Sequence, residues 1–355
     1  MIRRLSSTKY RPKRRTVLHL VVWRMRRLQI YWRNLQDIVI GRIQDLGGVS
    51  QQGTIEQLSP PQGRLWCLYA AYSRSSVVSD MVLAQLAAYK SSGFSIVFVS
   101  MSENVAEEDR DKLANYCTHL IHRKSIGRDF GAWAHTANLL GDTLEDAEAV
   151  LFTNDSNLGP FYPLESWIKA CRVREGFFGL TESIGGGSHL QSYFLLANGH
   201  AVVKDALRFL RTLKLTHSKW LMVQRGEIGF TQTMQRNGHY TGAILDHETL
   251  ENALLENQEL LAELFVMHPE LREGLDPHWS TRNRYLLRSR LFLIPLNPNH
   301  KLNSVLLNHF HFPFVKVDLV TKNQGLVPSA PDWRYFLTSD SPVTEAMIDD
   351  HLAAL

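Results

Sequence analysis

Four short apolar runs constrain this chain more than anything else in it: Leu65-Trp-Cys-Leu-Tyr-Ala-Ala71, Phe94-Ser-Ile-Val-Phe-Val99, Leu120-Ile-His122 and Ala149-Val-Leu-Phe-Thr153. The first is apolar throughout, without alternation, as in a strand buried on both faces. Helical segments at Val77–Tyr89, Ala106–Tyr116 and Phe130–Leu140 separate the runs. A β-α-β-α-β order folds as a parallel sheet with right-handed crossovers, because each strand must return to the same edge to pair in parallel. No GxGxxG follows the first run, which argues against a dinucleotide site.

The charge is distributed unevenly. Residues 1–42 hold 12 of the 39 Lys and Arg but only one of the 35 Asp and Glu, Asp37, so the remaining body has 27 basic against 34 acidic residues. The basic excess is thus an N-terminal attachment to a mildly acidic body. Residues 16–45 place Val17, Val21, Met25, Leu28, Trp32 and Leu35 at three- and four-residue steps, the period of an amphipathic helix. A basic helix with Trp and Leu on one face suits an anionic membrane surface; packing on its own domain is the alternative. No recognition motif accompanies the charge, so no specific nucleic acid is expected. Gly47-Gly48 through Gly63 reads as a linker. Cys67, Cys117 and Cys171 are far apart and form no CxxC pair, which suggests a reducing compartment. No run reaches the roughly 18–20 apolar residues of a bilayer span, and the expected location is cytoplasmic, peripheral on the inner membrane face.

In an open α/β sheet, ligands bind beyond the carboxyl ends of the strands. The run ending at Thr153 meets Asn154-Asp155-Ser156 there, and Gly159-Pro160 closes the turn. An acidic tip of this kind suits a metal bound to phosphate oxygens, or a sugar hydroxyl; an Asx-turn capping the next helix is the plainer reading. One helix earlier stands Gly127-Arg128-Asp129-Phe130-Gly131. Its glycines permit close backbone approach. Arg128 can bond phosphate in bidentate fashion, and Asp129 can accept sugar or ribose hydroxyls or simply cap the helix. These two stretches are expected to meet at one sheet edge.

These motifs resemble the rhamnan synthesis F family of bacterial glycosyltransferases. The resemblance rests on Gly127-Arg-Asp-Phe-Gly-Ala-Trp133, Asn154-Asp-Ser-x-x-Gly-Pro160 and His189-Leu-Gln-Ser-Tyr-Phe194, extended by Gly226-Glu-Ile-Gly-Phe-Thr231, Asn297-Pro-Asn-His300 and Pro313-Phe-Val-Lys316. It covers roughly residues 64–335. The chain departs from the family pattern at Ser125, where Asn is expected, and at Gly176-Phe-Phe-Gly179, where Asp-Phe-Trp-Gly is expected. The resemblance implies a GT-A-like α/β fold, a mostly parallel sheet flanked by helices. It also implies transfer of rhamnose or a related sugar from a nucleotide donor of the dTDP-rhamnose kind to a cell-surface polysaccharide.

Such a transfer needs the leaving diphosphate stabilised by a divalent cation or by basic side chains, and a carboxylate to take the acceptor's proton. Asp155 is the expected metal ligand, for Mg²⁺ or Mn²⁺. Gly127, Arg128, Asp129, Asn154, Ser156 and Lys316 are the expected donor-binding residues. A metal-free site, with Arg128 or Lys316 neutralising phosphate, is the alternative. Glu227, at the start of a helix predicted over Phe230–Asn237, is the expected base, as the resemblance to inverting enzymes implies. His189 and Gln191 follow the flexible Gly185-Gly-Gly-Ser188 loop and are expected on the acceptor side, where a lipid-linked glycan would bind. Three regions follow: a basic arm and helix over 1–58, the glycosyltransferase domain over 64–245, and a mainly helical part over 246–355 completing the acceptor side. A non-catalytic glycan- or nucleotide-binding protein on the same fold is the competing reading.

Overall fold

The computed structural model describes residues 25, 32, 35–43, 53–276, 278, 280–293, 297–323 and 330–355. The basic tail over 1–15 and most of the helix expected over 16–45 lie outside the described residues; 35–43 are helical.

The strands are β1 (Gly53–Gln57), β2 (Leu65–Ala71), β3 (Ser95–Ser100), β4 (His119–Arg123), β5 (Ala149–Asn154), β6 (Asn157–Leu158), β7 (Gly176–Ser183), β8 (His189–Leu190), β9 (Phe194–Asn198), β10 (Thr241–Leu245) and β11 (Val315–Lys316). The main sheet runs β1-β4-β3-β2-β5-β9-β7-β10, with β8 on β7. Its core β4-β3-β2-β5 is parallel, as the alternation predicts. β9 then runs antiparallel to both β5 and β7, and β10 returns parallel to β7. The result is the mostly parallel mixed sheet, flanked by helices and followed by a helical C-terminal part, that the sequence leads one to expect.

Two sequence expectations are corrected. The linker over 47–63 contains β1, which adds an exposed antiparallel edge to β4. The strand is exposed along its length and Ile55 is its one apolar residue, so no apolar run marks it. The strand expected over 190–196 is interrupted: β8 ends at Leu190, and β9 begins at Phe194. Gln191, Ser192 and Tyr193 form the break.

Alternation along β2 divides the core. Cys67 and Tyr69 face one layer, with Met81, Leu86 and Tyr89 of α1 (Asp80–Ser91) and Leu113 of α2 (Glu107–Ala114). Trp66 and Leu68 face the other, with Phe130 and Trp133 of α3 (Arg128–Leu139), Val203 and Leu207 of α4 (His200–Thr212), and Phe230 of α5 (Gly229–Arg236). Trp133, Phe152 and Phe230 are fully buried, and each large apolar side chain removed from water contributes about 1.5–3 kcal/mol. Phe230 stacks on Phe209 at 4.6 Å and holds α5 on α4. That packing fixes where the segment before α5 reaches the sheet.

The C-terminal part joins the same body. β11 pairs antiparallel with β6, setting Lys316 opposite Asn157. Val317 N–H donates to Ser156 O at 2.9 Å, and Phe161 N–H to Pro313 O at 2.8 Å. Gly159 (φ 118°) leaves no room for a side chain against the Pro313 carbonyl. The turn after β5 is therefore the socket into which the distant C-terminal segment docks.

Candidate active site

β5 ends at Asn154, and the chain turns at once. Asp155 N–H still pairs with Ala70 O of the neighbouring β2, at 3.2 Å. Its Oδ2 accepts from Tyr72 N–H at 2.7 Å, just past the end of β2. Asn154 is buried. Its amide donates to Asp129 Oδ2 at 2.7 Å, and its Oδ1 accepts from Ser156 N–H at 3.1 Å and Ser156 Oγ at 2.5 Å. This is the Asx-turn anticipated from sequence, and it also ties the strand tip to the helix carrying Asp129.

That helix begins with two left-handed residues, Gly127 (φ 76°) and Arg128 (φ 54°). For arginine this is a sparsely populated conformation, of a kind that costs about 1–3 kcal/mol and collects at functional sites. A side chain on Gly127 would run into Leu215, and one on Gly131 would overlap the Ile126 carbonyl. The glycines thus serve the close packing of the helix start, and the exposed Arg128 side chain lines the cleft above it.

Glu227 comes from a π-helical turn, Val223–Ile228, directly before α5. The widened turn is accommodated because Gly226 sits against the ring of Phe130. Glu227 Oε1 accepts from Ser192 N–H at 2.9 Å, in the break between β8 and β9. The interruption of that strand thus supplies the donor that orients the glutamate.

Arg128, Asp129, Asn154, Asp155, Ser156 and Glu227 all line one cleft of about 350 Å³. Lys316 lines it as well, carried in by the β6–β11 pair. Sequence reading missed Lys219, Asp318 and Lys322, which share the cleft. Asp318 accepts from Lys322 at 2.8 Å and lies 3.8 Å from Lys219. No motif flagged them: they are surface charges whose meaning depends on the docking of the C-terminal segment.

Gly127, His189 and Gln191 do not line the cleft. Gly127 acts through the backbone, as above. His189 is buried, its Nδ1 2.7 Å from Gly187 O, where it braces the glycine loop. Gln191 is buried as well. Its Oε1 accepts from Thr181 at 2.6 Å and from Asn299 at 2.8 Å, and its amide donates to Asn297 at 3.0 Å. Gln191 therefore pins the Asn297-Pro-Asn299 segment to β7, which accounts for two of the sequence motifs together.

Burial dominates the electrostatics of the two aspartates. It pushes Asp155 up to about 7, opposed by the Tyr72 N–H and reinforced by the Asp129 charge. Burial likewise raises Asp129 to about 6, opposed by Arg128, Lys316 and the Asn154 amide and reinforced by Glu227. Two carboxyls reluctant to ionise side by side are what a divalent cation would relieve. Among the described residues, no group of three or more His, Cys, Asp or Glu gathers to hold a metal. A cation here would draw on Asp155 and Asp129 and complete its shell with phosphate and water, the habit of Mg²⁺.

An α/β sheet with a mixed acidic and basic cleft at the strand ends is the class that fold and site define. The comparisons agree with the motifs: residues 96–269 match the family model described as rhamnan synthesis protein F. Over 196 residues the chain is 28% identical to the uncharacterized protein y4gN of Sinorhizobium fredii, a match covering 53% of this chain and 50% of that one. The chain thus spans about half the length of this curated relative. Among solved structures, the mannosyltransferase PcManGT from Pyrobaculum calidifontis, in complex with GDP-Man and Mn²⁺, is similar with a TM-score of 0.33 and 11% identity, over 87% of this chain and 90% of that one. The bifunctional glycosyltransferase WbbM, in its apo form, is similar with a TM-score of 0.30 and 10% identity, over 51% of this chain and 38% of that one.

Proposed function

We propose that the protein is a glycosyltransferase that moves rhamnose or a related sugar from a nucleotide-sugar donor to a polysaccharide acceptor. The observation that carries this reading is the meeting of Arg128, Asp129, Asp155, Glu227 and Lys316 in one cleft, from four separate stretches of chain. The family match over residues 96–269 supports the same class.

In this reading Arg128 and Lys316 bind the donor diphosphate, and Asp129 and Asp155 would hold a divalent cation. The cation, when bound, neutralises charge on the leaving phosphate. Glu227, held by Ser192 N–H, takes the proton of the acceptor hydroxyl as that oxygen bonds to the anomeric carbon and the bond to the diphosphate breaks. Attack from the side opposite the leaving group inverts the anomeric centre. The acceptor is a lipid-linked glycan at the inner membrane face.

The helical residues 35–43 fit a membrane-facing role. Asp37 Oδ2 accepts from Ser218 at 2.9 Å, and Gly41 packs on Leu221, next to Lys219 and Met222 of the cleft. Leu35, Val39, Ile40 and Ile43 stay 45–62% exposed on the other side. No helix among the described residues is long and apolar enough to cross a membrane.

The test is transfer from dTDP-rhamnose, UDP-sugars and GDP-sugars, with Mg²⁺, Mn²⁺ or EDTA, for wild type and Glu227→Gln. Donor turnover lost in the variant supports the enzyme. Nucleotide-sugar binding with no turnover under any condition favours the non-catalytic reading. Sedimentation with phosphatidylglycerol vesicles, lost in Leu35→Asp/Ile43→Asp, tests the membrane contact.

A further inference from the structure

A second cavity, of about 480 Å³, lies away from the cleft between the helices His247–Glu256 and Thr281–Leu293. Its size falls within the roughly 300–1,000 Å³ of small-molecule sites. Leu250, Leu254 and Leu302 contribute apolar surface to it. At the rim, Arg288 Nε lies 2.5 Å from Glu251 Oε1, and Arg288 also donates to Asn252 at 3.2 Å. Tyr285 lines the same cavity with 69% of its surface open to solvent. His247 lines it too, and its Nε2, shut off from solvent, has no hydrogen-bond partner among the described residues.

We propose that this cavity binds a neutral stretch of the acceptor saccharide, at a distance from the sugar being extended. The inference rests on the glycosyltransferase reading above and adds a substrate subsite to it. Three observations point to a neutral polyol. The rim pairs one carboxylate with one guanidinium, so it offers acceptors and donors to hydroxyls but no net charge for a phosphate. An exposed tyrosine ring gives a flat apolar face for the C–H side of a sugar ring, with its hydroxyl at the wet edge. A buried imidazole nitrogen without a partner is costly, and a saccharide hydroxyl would satisfy it once the ring turned to the cavity.

The cavity is connected to the cleft through the chain itself. Ile184 lines it, and the glycine loop continues from there. Gly186 and Gly187 lie against Ile228 and Gln232, beside the turn carrying Glu227. The same loop leads through His189 to Ser192, whose N–H holds Glu227.

The experiment is titration of the full chain with neutral tetrasaccharides, one of rhamnose and one of mannose, followed by saturation-transfer NMR and calorimetry. It is repeated with Tyr285→Ala, Glu251→Gln and Asp155→Asn, and with dTDP and inorganic phosphate as probes. The expected result is binding of a tetrasaccharide that weakens at least fivefold in Tyr285→Ala and Glu251→Gln. The same binding should be unchanged in Asp155→Asn and should add to that of dTDP. In a transfer assay, Tyr285→Ala should raise KM for a long acceptor with kcat and donor KM unchanged. No tetrasaccharide binding by wild type, binding indifferent to both rim variants, or phosphate binding lost in Tyr285→Ala would each overturn the proposal. Saccharide binding that survives where no sugar transfer is found leaves the subsite standing and removes the enzymatic reading alone.

Discussion

Asn154 at the tip of β5 donates its side-chain amide to Asp129 at the start of α3, across 2.7 Å. The bond joins the acidic tip of a central strand to the glycine-rich helix start. It also favours the ionised form of a carboxyl that burial drives up to about 6. Asn154→Ala removes that support, so Asp129 moves to a higher pKa. The acidic limb of the activity profile should shift to higher pH, with activity at pH 6 lost more than at pH 8. A pH–rate profile with the limb unmoved would count against a functional Asp129.

Asp155 offers a stability test with a definite sign. Its folded pKa, about 7, lies above the ordinary carboxyl value of 3.8. A raised acid binds its proton more tightly in the folded state. The native state is therefore favoured most below the unfolded value and loses that advantage as pH rises through about 7. Asp155→Asn cannot ionise, and its amide oxygen can still accept from Tyr72. The variant should melt above wild type by about 2 °C or more at pH 8, given roughly 2–4 °C per kcal/mol in large domains, and the gap should close by pH 4. Mg²⁺ should raise the melting temperature of wild type at pH 8 and leave the variant unmoved. Parallel melting curves at both pH values would refute this account.

Glu227→Gln keeps an oxygen for Ser192 N–H while removing the proton acceptor. Turnover should fall by about 10²–10⁴, the usual worth of a general base, with donor affinity within twofold of wild type. Calorimetry with the nucleotide diphosphate separates the two effects. Loss of nucleotide binding would reassign Glu227 to the donor side.

Arg128 sits at φ 54°, where glycine is at ease and other residues are strained. Arg128→Gly should therefore be more stable than Arg128→Ala by about 1 kcal/mol. Both should bind nucleotide diphosphate about tenfold more weakly or worse, as expected for losing a charge-assisted bond. Equal stability of the two variants would show that the backbone relaxes when the arginine is removed.

Lys316 reaches the cleft through the two-residue pairing of β11 with β6. Lys316→Ala should weaken nucleotide diphosphate binding about tenfold and shift the melting temperature little. Undiminished affinity would place the lysine outside the donor site.

The sequence alone determined the parallel core of the sheet and the acidic tip after β5. Apolar runs without alternation mark strands covered on both faces, and a polar Asn154-Asp155-Ser156 turn can only follow such a strand at its open end. The helix start at Gly127-Arg128 was legible for a similar local reason, since two glycines four residues apart allow the close packing seen there. Tertiary structure alone decided the rest. Gln191 and His189 share a motif with residues of the cleft, yet long-range hydrogen bonds to Thr181, Asn297 and Asn299 turn Gln191 into a brace, and His189 stays with its own loop. Lys219, Asp318 and Lys322 look like ordinary surface charge in sequence, and β1 offers only one apolar residue, Ile55. Backbone pairing and the docking of the C-terminal segment place them, and contacts of that kind depend on which surfaces meet rather than on any pattern along the chain.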